Sequence, residues 1–98
     1  KRPAFRSVVL VQFPYRGSWA IGFVTSPEPW LIDGKEHINI YVPTTPNPTS
    51  GWYMLLPKEE VRELPFSVEE GLKLVISGGL VRGESGFPPV QDGGRDVR

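Results

Sequence analysis

The chain has 98 residues, a formal net charge of zero from 11 basic and 11 acidic side chains, and no cysteine. This length suffices for one domain with one modest core, and zero net charge removes the basic excess that drives binding to nucleic acid. The absence of cysteine excludes disulfides and thiolate metal sites, and the single histidine excludes a site built on several His ligands. Gly and Pro, at 11 residues each, favour turns and short strands over a helical bundle.

The N-terminal part of the chain has the pattern of a β-hairpin. Ser7–Phe13 is rich in β-branched residues without helical spacing, which predicts a strand covered on both faces. Pro14–Gly17 has the composition of a turn. Ser18–Thr25 then alternates as a second strand, so the two runs are expected to pair.

A second hairpin follows. Trp30–Ile32 and His37–Val42 flank Asp33-Gly34, a dipeptide typical of tight turns between paired strands. In the longer run, one face is expected to enter the core and the other to be partly wet; the core face is Ile38, Ile40 and Val42, and the other is His37, Asn39 and Tyr41. Trp52–Leu56 is a further apolar strand, which Pro57 ends.

The clearest helix lies near the C-terminus, over Ser67–Ser77. Ser67 is a good N-cap, Glu70 three residues later completes a capping box, and Gly78 suits a left-handed C-cap. The residues just before, Lys58–Pro65, fit either a helical turn at Lys58–Val61 or an edge strand at Val61–Leu64. Leu80–Arg82 is expected to add a last short strand.

These elements predict a mainly β (α+β) domain: a small antiparallel sheet or partly open barrel with one amphipathic helix near the C-terminus. One compact domain is expected over residues 1–82. Apolar content falls sharply after Arg82, so residues 83–98 are expected to form a disordered tail. Most of the aromatic side chains should lie in the core, with Trp30 the best candidate for an exposed one.

No pattern of reactive residues stands out. His37 has Asp33 and Glu36 near it in sequence, but its place beside a hairpin turn favours a solvated strand edge over a general base. The acidic residues of Lys58–Glu70 are interspersed with basic ones and favour a solvated face over a cation site. We therefore predict no catalytic residue, no metal site and no cofactor.

Pro43–Gly51 is the most unusual segment. Three of its residues are prolines, which fix φ and bias the preceding residues towards extended backbone. Its polar side chains can satisfy the backbone groups of the loop itself. The candidate binding residues are therefore the polar ones of this stiff loop: Thr44, Thr45, Asn47, Thr49 and Ser50. A purely structural loop between two strands is the alternative.

Several segments together resemble a known family: Ser7–Phe13 with the turn to Gly17, Gly22–Thr25, Val42–Gly51, and Ser67–Glu70 leading to Ile76–Gly79. Their order and spacing are similar to those of family 502 of domains of unknown function, whose plant members are the continuous-vascular-ring-like proteins. The string Pro-Thr-Thr-Pro-Asn-Pro-Thr-Ser-Gly is the most specific part of the match.

The resemblance implies an integral membrane protein, with two membrane-spanning helices before a C-terminal domain on the cytoplasmic side of the inner or plasma membrane. A start at Lys1 agrees with a chain cut from such an anchor, which this chain itself lacks. The family has no established enzymatic activity. We expect a non-enzymatic module that binds a protein partner or a second copy of itself and does not bind nucleic acid; a hydrolase-like enzyme using His37 with Thr45, Asn47 and Ser50, or a domain binding a small ligand or lipid, is the alternative.

Overall fold

The computed structural model describes residues 5–81 and 89–90. Within these ranges, six strands and one helix follow in order: β1 (Ser7–Gln12), β2 (Trp19–Val24), β3 (Trp30–Ile32), β4 (Lys35–Pro43), β5 (Gly51–Pro57), β6 (Arg62–Glu63) and α1 (Val68–Ser77). A 3-10 turn at Lys58–Glu60 joins β5 to β6. The mainly β prediction with one C-terminal helix is confirmed.

The strands form one antiparallel sheet that curls into a half-barrel. β4 lies at its centre: β5 runs along one side of it, while β3 and β2 share the other side. β1 continues the sheet beyond β2, and β6 pairs with β1. Both predicted hairpins are present, and Asp33 and Gly34 have the positive φ values of 53° and 79° that a tight two-residue turn requires.

Two apolar clusters lie on opposite faces of the sheet. One is built on four buried residues of β1 and β4, namely Val9, Val11, Ile40 and Val42. The other contains Val8 and Phe23, which α1 covers with Val75. Because neighbouring residues of β1 enter different clusters, this strand is covered on both faces, as its sequence predicts.

Helix α1 begins and ends as predicted. The Glu70 amide donates to Ser67 Oγ at 3.1 Å and the Ser67 amide donates to Glu70 Oε1 at 3.0 Å, which completes the capping box. Gly78 closes the helix in the left-handed conformation at φ 66°. Gly71 faces the sheet, and a Cβ there would lie 2.9 Å from Val8 Cγ2.

Some predictions need correction. Leu80 and Val81 are bends and not part of a strand, because the chain leaves α1 through two left-handed glycines and no strand lies beside it in the described part. Arg82 lies outside the described residues.

The segment after Pro57 contains both of the predicted alternatives in shortened form, a 3-10 turn and then β6. The expected tail at 83–98 lies outside the described residues except for Pro89 and Val90, and the domain bounds stay a prediction.

The expectation that most aromatic residues are buried is wrong for Trp19 and Trp52, whereas the expected exposure of Trp30 is confirmed. Trp19, Trp30 and Trp52 are 44%, 54% and 48% exposed, whereas Phe23 is fully buried. Two of these exposed indoles, those of Trp19 and Trp52, nevertheless lie against a neighbouring side chain. Trp52, for example, packs on Phe13 with the ring centroids 5.0 Å apart.

Candidate functional site

The loop of Thr44–Ser50 connects β4 to β5. Its two ends are held together by the pairing of Pro43 with Gly51. A Cβ on Gly51 would overlap the Val42 carbonyl oxygen and lie 2.8 Å from Pro43 Cα, so β5 can approach β4 this closely only with glycine at its first position. The loop therefore leaves the sheet as a closed, protruding turn.

Thr44 ties the two ends of the loop. Its amide donates to the Ser50 carbonyl at 2.8 Å. Its hydroxyl lies 3.1 Å from the same carbonyl and 3.0 Å from Ser50 Oγ, and it also contacts the Asn47 carbonyl oxygen. Thr44 and Ser50 thus hold each other across the base of the loop.

Asn47 organises the tip. Its Oδ1 accepts from the Thr49 amide at 3.1 Å and from the Thr49 hydroxyl at 2.7 Å. The Pro48 carbonyl accepts from the Tyr41 hydroxyl at 2.7 Å, which fixes the tip to β4. Because these polar groups bond within the loop, its shape is determined before any partner arrives.

The structure does not unite the loop with His37. The β4–β5 register pairs His37 with Pro57 at one end of β4 and Pro43 with Gly51 at the other. At about 3.3 Å per residue, His37 is roughly 20 Å from the loop, and its Nδ1 lies 2.9 Å from the Lys35 carbonyl oxygen. The arrangement needed for the hydrolase alternative, in which His37 converges with Thr45 and Ser50, is therefore absent.

The acidic residues do not gather into a site either. Glu70 serves the helix cap, and Glu36 lies 3.7 Å from Lys58 in an exposed ion pair. Over residues 5–81 and 89–90, no group of three His, Asp or Glu side chains could hold a metal ion.

An apolar groove of about 640 Å³ runs beside the loop, between the end of α1 and the sheet. Of the five candidate residues, Thr45 lines it. The opposite wall consists of apolar side chains from β1, β2, α1 and the segment before α1, including Leu10, Ile21, Phe66 and Leu74. A hydroxyl-bearing loop at the rim of an apolar groove is a surface that could hold an apolar ligand or side chain.

The structure also reveals two features that sequence reasoning missed. Asn39 is only 5% exposed, and its Nδ2 donates to the Glu28 carbonyl at 2.9 Å while its Oδ1 accepts from the Tyr53 hydroxyl at 2.6 Å. Arg62 is 8% exposed, donates to the Glu59 carbonyl at 2.9 Å and lies 5.8 Å from the Trp19 ring centroid. The expectation that Asn39 lies on a partly wet face is therefore wrong, and its position between Ile38 and Ile40 was the one signal for burial. The sequence held no signal for the burial of Arg62.

Together, the fold and the loop define a small antiparallel β domain that presents a pre-shaped polar turn and has no reactive cluster in its described part. Residues 1–50 match the model of the family described as "Protein of unknown function (DUF502)". The match covers half of the chain, and the chain belongs to this family.

Curated relatives carry the same resemblance further along the chain. Protein LIKE COV 3 of Arabidopsis thaliana is 34% identical over 79 residues, which are 79% of this chain and 28% of that protein. CONTINUOUS VASCULAR RING 1, from the same plant, is 32% identical over 80 residues, 79% of this chain and 29% of its own length. The chain thus spans less than a third of these relatives.

No solved structure matches the chain significantly. None of the helical segments within residues 5–81 and 89–90 combines the length and the apolar character needed to cross a bilayer.

Proposed function

We propose that this chain is a non-enzymatic protein-binding or assembly domain of a membrane-anchored protein, and that the Thr44–Ser50 loop contacts its partner. The observation that carries the proposal is the internal hydrogen bonding of the loop. A loop whose shape is already fixed loses little conformational entropy when it binds, and its tip offers the exposed side chains of Thr45, Asn47 and Thr49.

The absence of a reactive arrangement at the loop supports binding over chemistry. A nucleophilic Ser or Thr needs an adjacent base. The Ser50 hydroxyl instead lies beside the Thr44 hydroxyl, and His37 lies at the far end of β4. Exposed hydroxyl and amide groups beside an apolar groove are suited to recognising a protein surface.

Site-specific photo-crosslinking tests the loop. A photoreactive amino acid would replace Thr45 in the full-length protein, expressed in its own cells, and mass spectrometry would identify the crosslinked protein. A matched variant with the same group at Leu31, 72% exposed on β3, controls for general reactivity. We expect one defined adduct from position 45 that is absent at position 31.

A second change connects the adduct to the shape of the loop. Asn47→Ala removes both hydrogen bonds to Thr49, so the adduct from position 45 should weaken while the domain stays folded. No adduct from position 45, or equal adducts from both positions, would contradict the role of the loop.

The membrane anchor and the cytoplasmic location belong to this proposal through the family resemblance. The matched region is less than a third of the length of the plant relatives, which leaves room for membrane-spanning segments elsewhere in a full-length protein. Fractionation of cells should place the full-length protein with the membranes, and protease added from outside should leave this domain intact until the membrane is opened. Recovery in the aqueous fraction would refute the anchor.

The apolar groove supports a second candidate function, the binding of a small apolar ligand or lipid. Its volume of about 640 Å³ falls in the range of ligand sites. Native mass spectrometry of the chain mixed with a long-chain fatty acid would detect binding, and Ile21→Asp would place a charge in the groove wall and abolish it. Spectra that show only the free chain would eliminate this candidate.

A further inference from the structure

The outer side of β5 pairs with no strand among residues 5–81 and 89–90. β5 pairs with β4 along its whole length, from Gly51 to Pro57, and the described part of the chain offers it no second neighbour. Its first half is open to solvent, with Trp52 48% and Tyr53 61% exposed. The sheet therefore ends in a long, accessible edge.

The hydrogen-bond phase of the sheet shows which backbone groups point outwards. The Thr44 amide donates to the Ser50 carbonyl, and these two residues lie directly opposite each other if the β4–β5 register is continued by one pair. Hydrogen-bonded and non-bonded pairs alternate along an antiparallel ladder. The backbone N–H and C=O groups of the even-numbered residues of β5 therefore point towards β4, and those of the odd-numbered residues point away from it. Thr25 donates to the Asn39 carbonyl on the other side of β4, which gives the same phase. The N–H and C=O groups of Tyr53 and Leu55 thus point away from the sheet, as do those of Gly51.

This edge lacks the features that normally prevent strands from pairing between molecules. Such edges are usually short, charged or interrupted by proline. β6 is two residues long and consists of Arg62 and Glu63, and β3 has three residues. β5 has seven residues without a charge, and its proline stands at the end.

We propose that β5 pairs antiparallel with β5 of a second copy of this chain, so that two sheets join into one. Residues whose backbone groups point outwards must lie opposite residues of the same kind in the second copy. The two β5 strands then overlap along their whole length when the two-fold axis passes through Met54. Tyr53 of each copy then exchanges two hydrogen bonds with Leu55 of the other. The Trp52 and Leu56 side chains lie on the sheet face opposite to those of Tyr53 and Leu55. There, Trp52 of one copy lies beside Leu56 of the other, an aromatic–aliphatic pair of the kind that stabilises sheets.

The charge pattern favours a second copy as the occupant. An uncharged strand can lie against itself without like charges meeting, and like charges directly opposite each other would oppose pairing. In the register centred on Met54, the charged residues Lys58 and Glu59, which come just after β5, lie opposite Ser50 and Thr49 of the other copy. Neither charge therefore meets a like charge. The inference rests on the proposed function, since it names a partner for an assembly domain, but it uses the β5 edge and not the loop tip.

Mass measurement across a concentration series tests the pairing. The wild-type chain should rise from 11.0 kDa to twice that mass as concentration increases. Leu55→Pro removes an outward N–H that β4 does not use, and this variant should remain a monomer. Leu31→Pro is the matched control, because the β3–β4 register leaves the Leu31 amide pointing outwards too, and it should associate like the wild type.

Amide hydrogen exchange of the wild-type chain keeps the test independent of any variant. The Tyr53 and Leu55 amides should exchange quickly in the dilute monomer and slow at least tenfold on association, whereas the Met54 amide, bonded to β4, should be slow throughout. A chain that stays at 11.0 kDa, a dimer that Leu55→Pro leaves intact, or slow exchange of Tyr53 and Leu55 already in the monomer would overturn the inference.

The two proposals fail separately. A monomeric chain whose Thr45 position still crosslinks to another protein would refute the β5 dimer alone. A dimer sensitive to Leu55→Pro, together with no adduct from position 45, would refute the role of the loop alone.

Discussion

The replacement Gly71→Ala sets helix propensity against packing at the contact between α1 and the sheet. Gly71 is a buried residue of the helix. A Cβ at this position would lie 2.9 Å and 3.0 Å from the two γ-methyl groups of Val8, and 3.1 Å from Phe23 Cε1. These distances are shorter than ordinary van der Waals contacts, so one of the three residues must move.

The magnitude follows from two opposing terms. Ala is favoured over Gly inside a helix by about 1 kcal/mol. Val8 and Phe23 are fully buried, and β-branched Val8 has little rotamer freedom with which to move aside. The added methyl group should therefore cost roughly 1–3 kcal/mol, as is typical of overpacking. We expect Gly71→Ala to lower the free energy of unfolding by about 1 kcal/mol, since overpacking exceeds the propensity gain.

Urea unfolding of the wild type, the two single variants and the double variant Val8→Ala/Gly71→Ala measures both terms. Removing the Val8 methyl groups should make room for the new Cβ, so Gly71→Ala should become neutral or stabilising in the Val8→Ala background. A coupling energy of about 1 kcal/mol is expected for residues in direct contact. If Gly71→Ala alone stabilises the domain by the full propensity difference, the close approach of α1 to β1 is wrong.

Three further predictions concern single hydrogen-bonded side chains, all measured by thermal or urea unfolding. Ser67→Ala removes the N-cap of α1 and should cost about 1 kcal/mol; an unchanged transition would argue against the helix start at Val68. Thr44→Val keeps the shape but removes the hydroxyl at the base of the loop, and should cost about 1 kcal/mol, which an unaltered midpoint would disprove. Tyr53→Phe leaves Asn39 Oδ1 without its 2.6 Å donor and should cost about 1 kcal/mol, whereas Tyr15→Phe, at a residue 69% exposed, should have no effect; equal results for the two would refute the Asn39 contact.

The local elements were predictable because their signals lie within a few residues of one another. Ser67 and Glu70 are one helical turn apart, so the capping box forms from local geometry alone. Asp33 and Gly34 occupy the two turn positions that need positive φ. The same holds for the loop, where Asn47 bonds to Thr49, two residues further along.

The family was also recognisable from the chain alone, since the motif Val42–Gly51 includes an unusual spacing of prolines with small polar residues. The predicted role of its residues in binding is a proposal. What the structure adds is that Thr44, Asn47, Thr49 and Ser50 bond mainly to the loop itself, and that Thr45 lines the groove.

Sequence by itself thus determined the hairpins, the capped helix and the stiff loop, because backbone propensity and short-range hydrogen bonds specify them. Only the tertiary structure decided that Trp19 and Trp52 are exposed, that Asn39 is buried against Tyr53, and that β5 lies at the edge of the sheet. These features depend on which strands pair and in which register. Alternation along a strand shows that it has two faces, but the neighbours on each side come from distant parts of the chain.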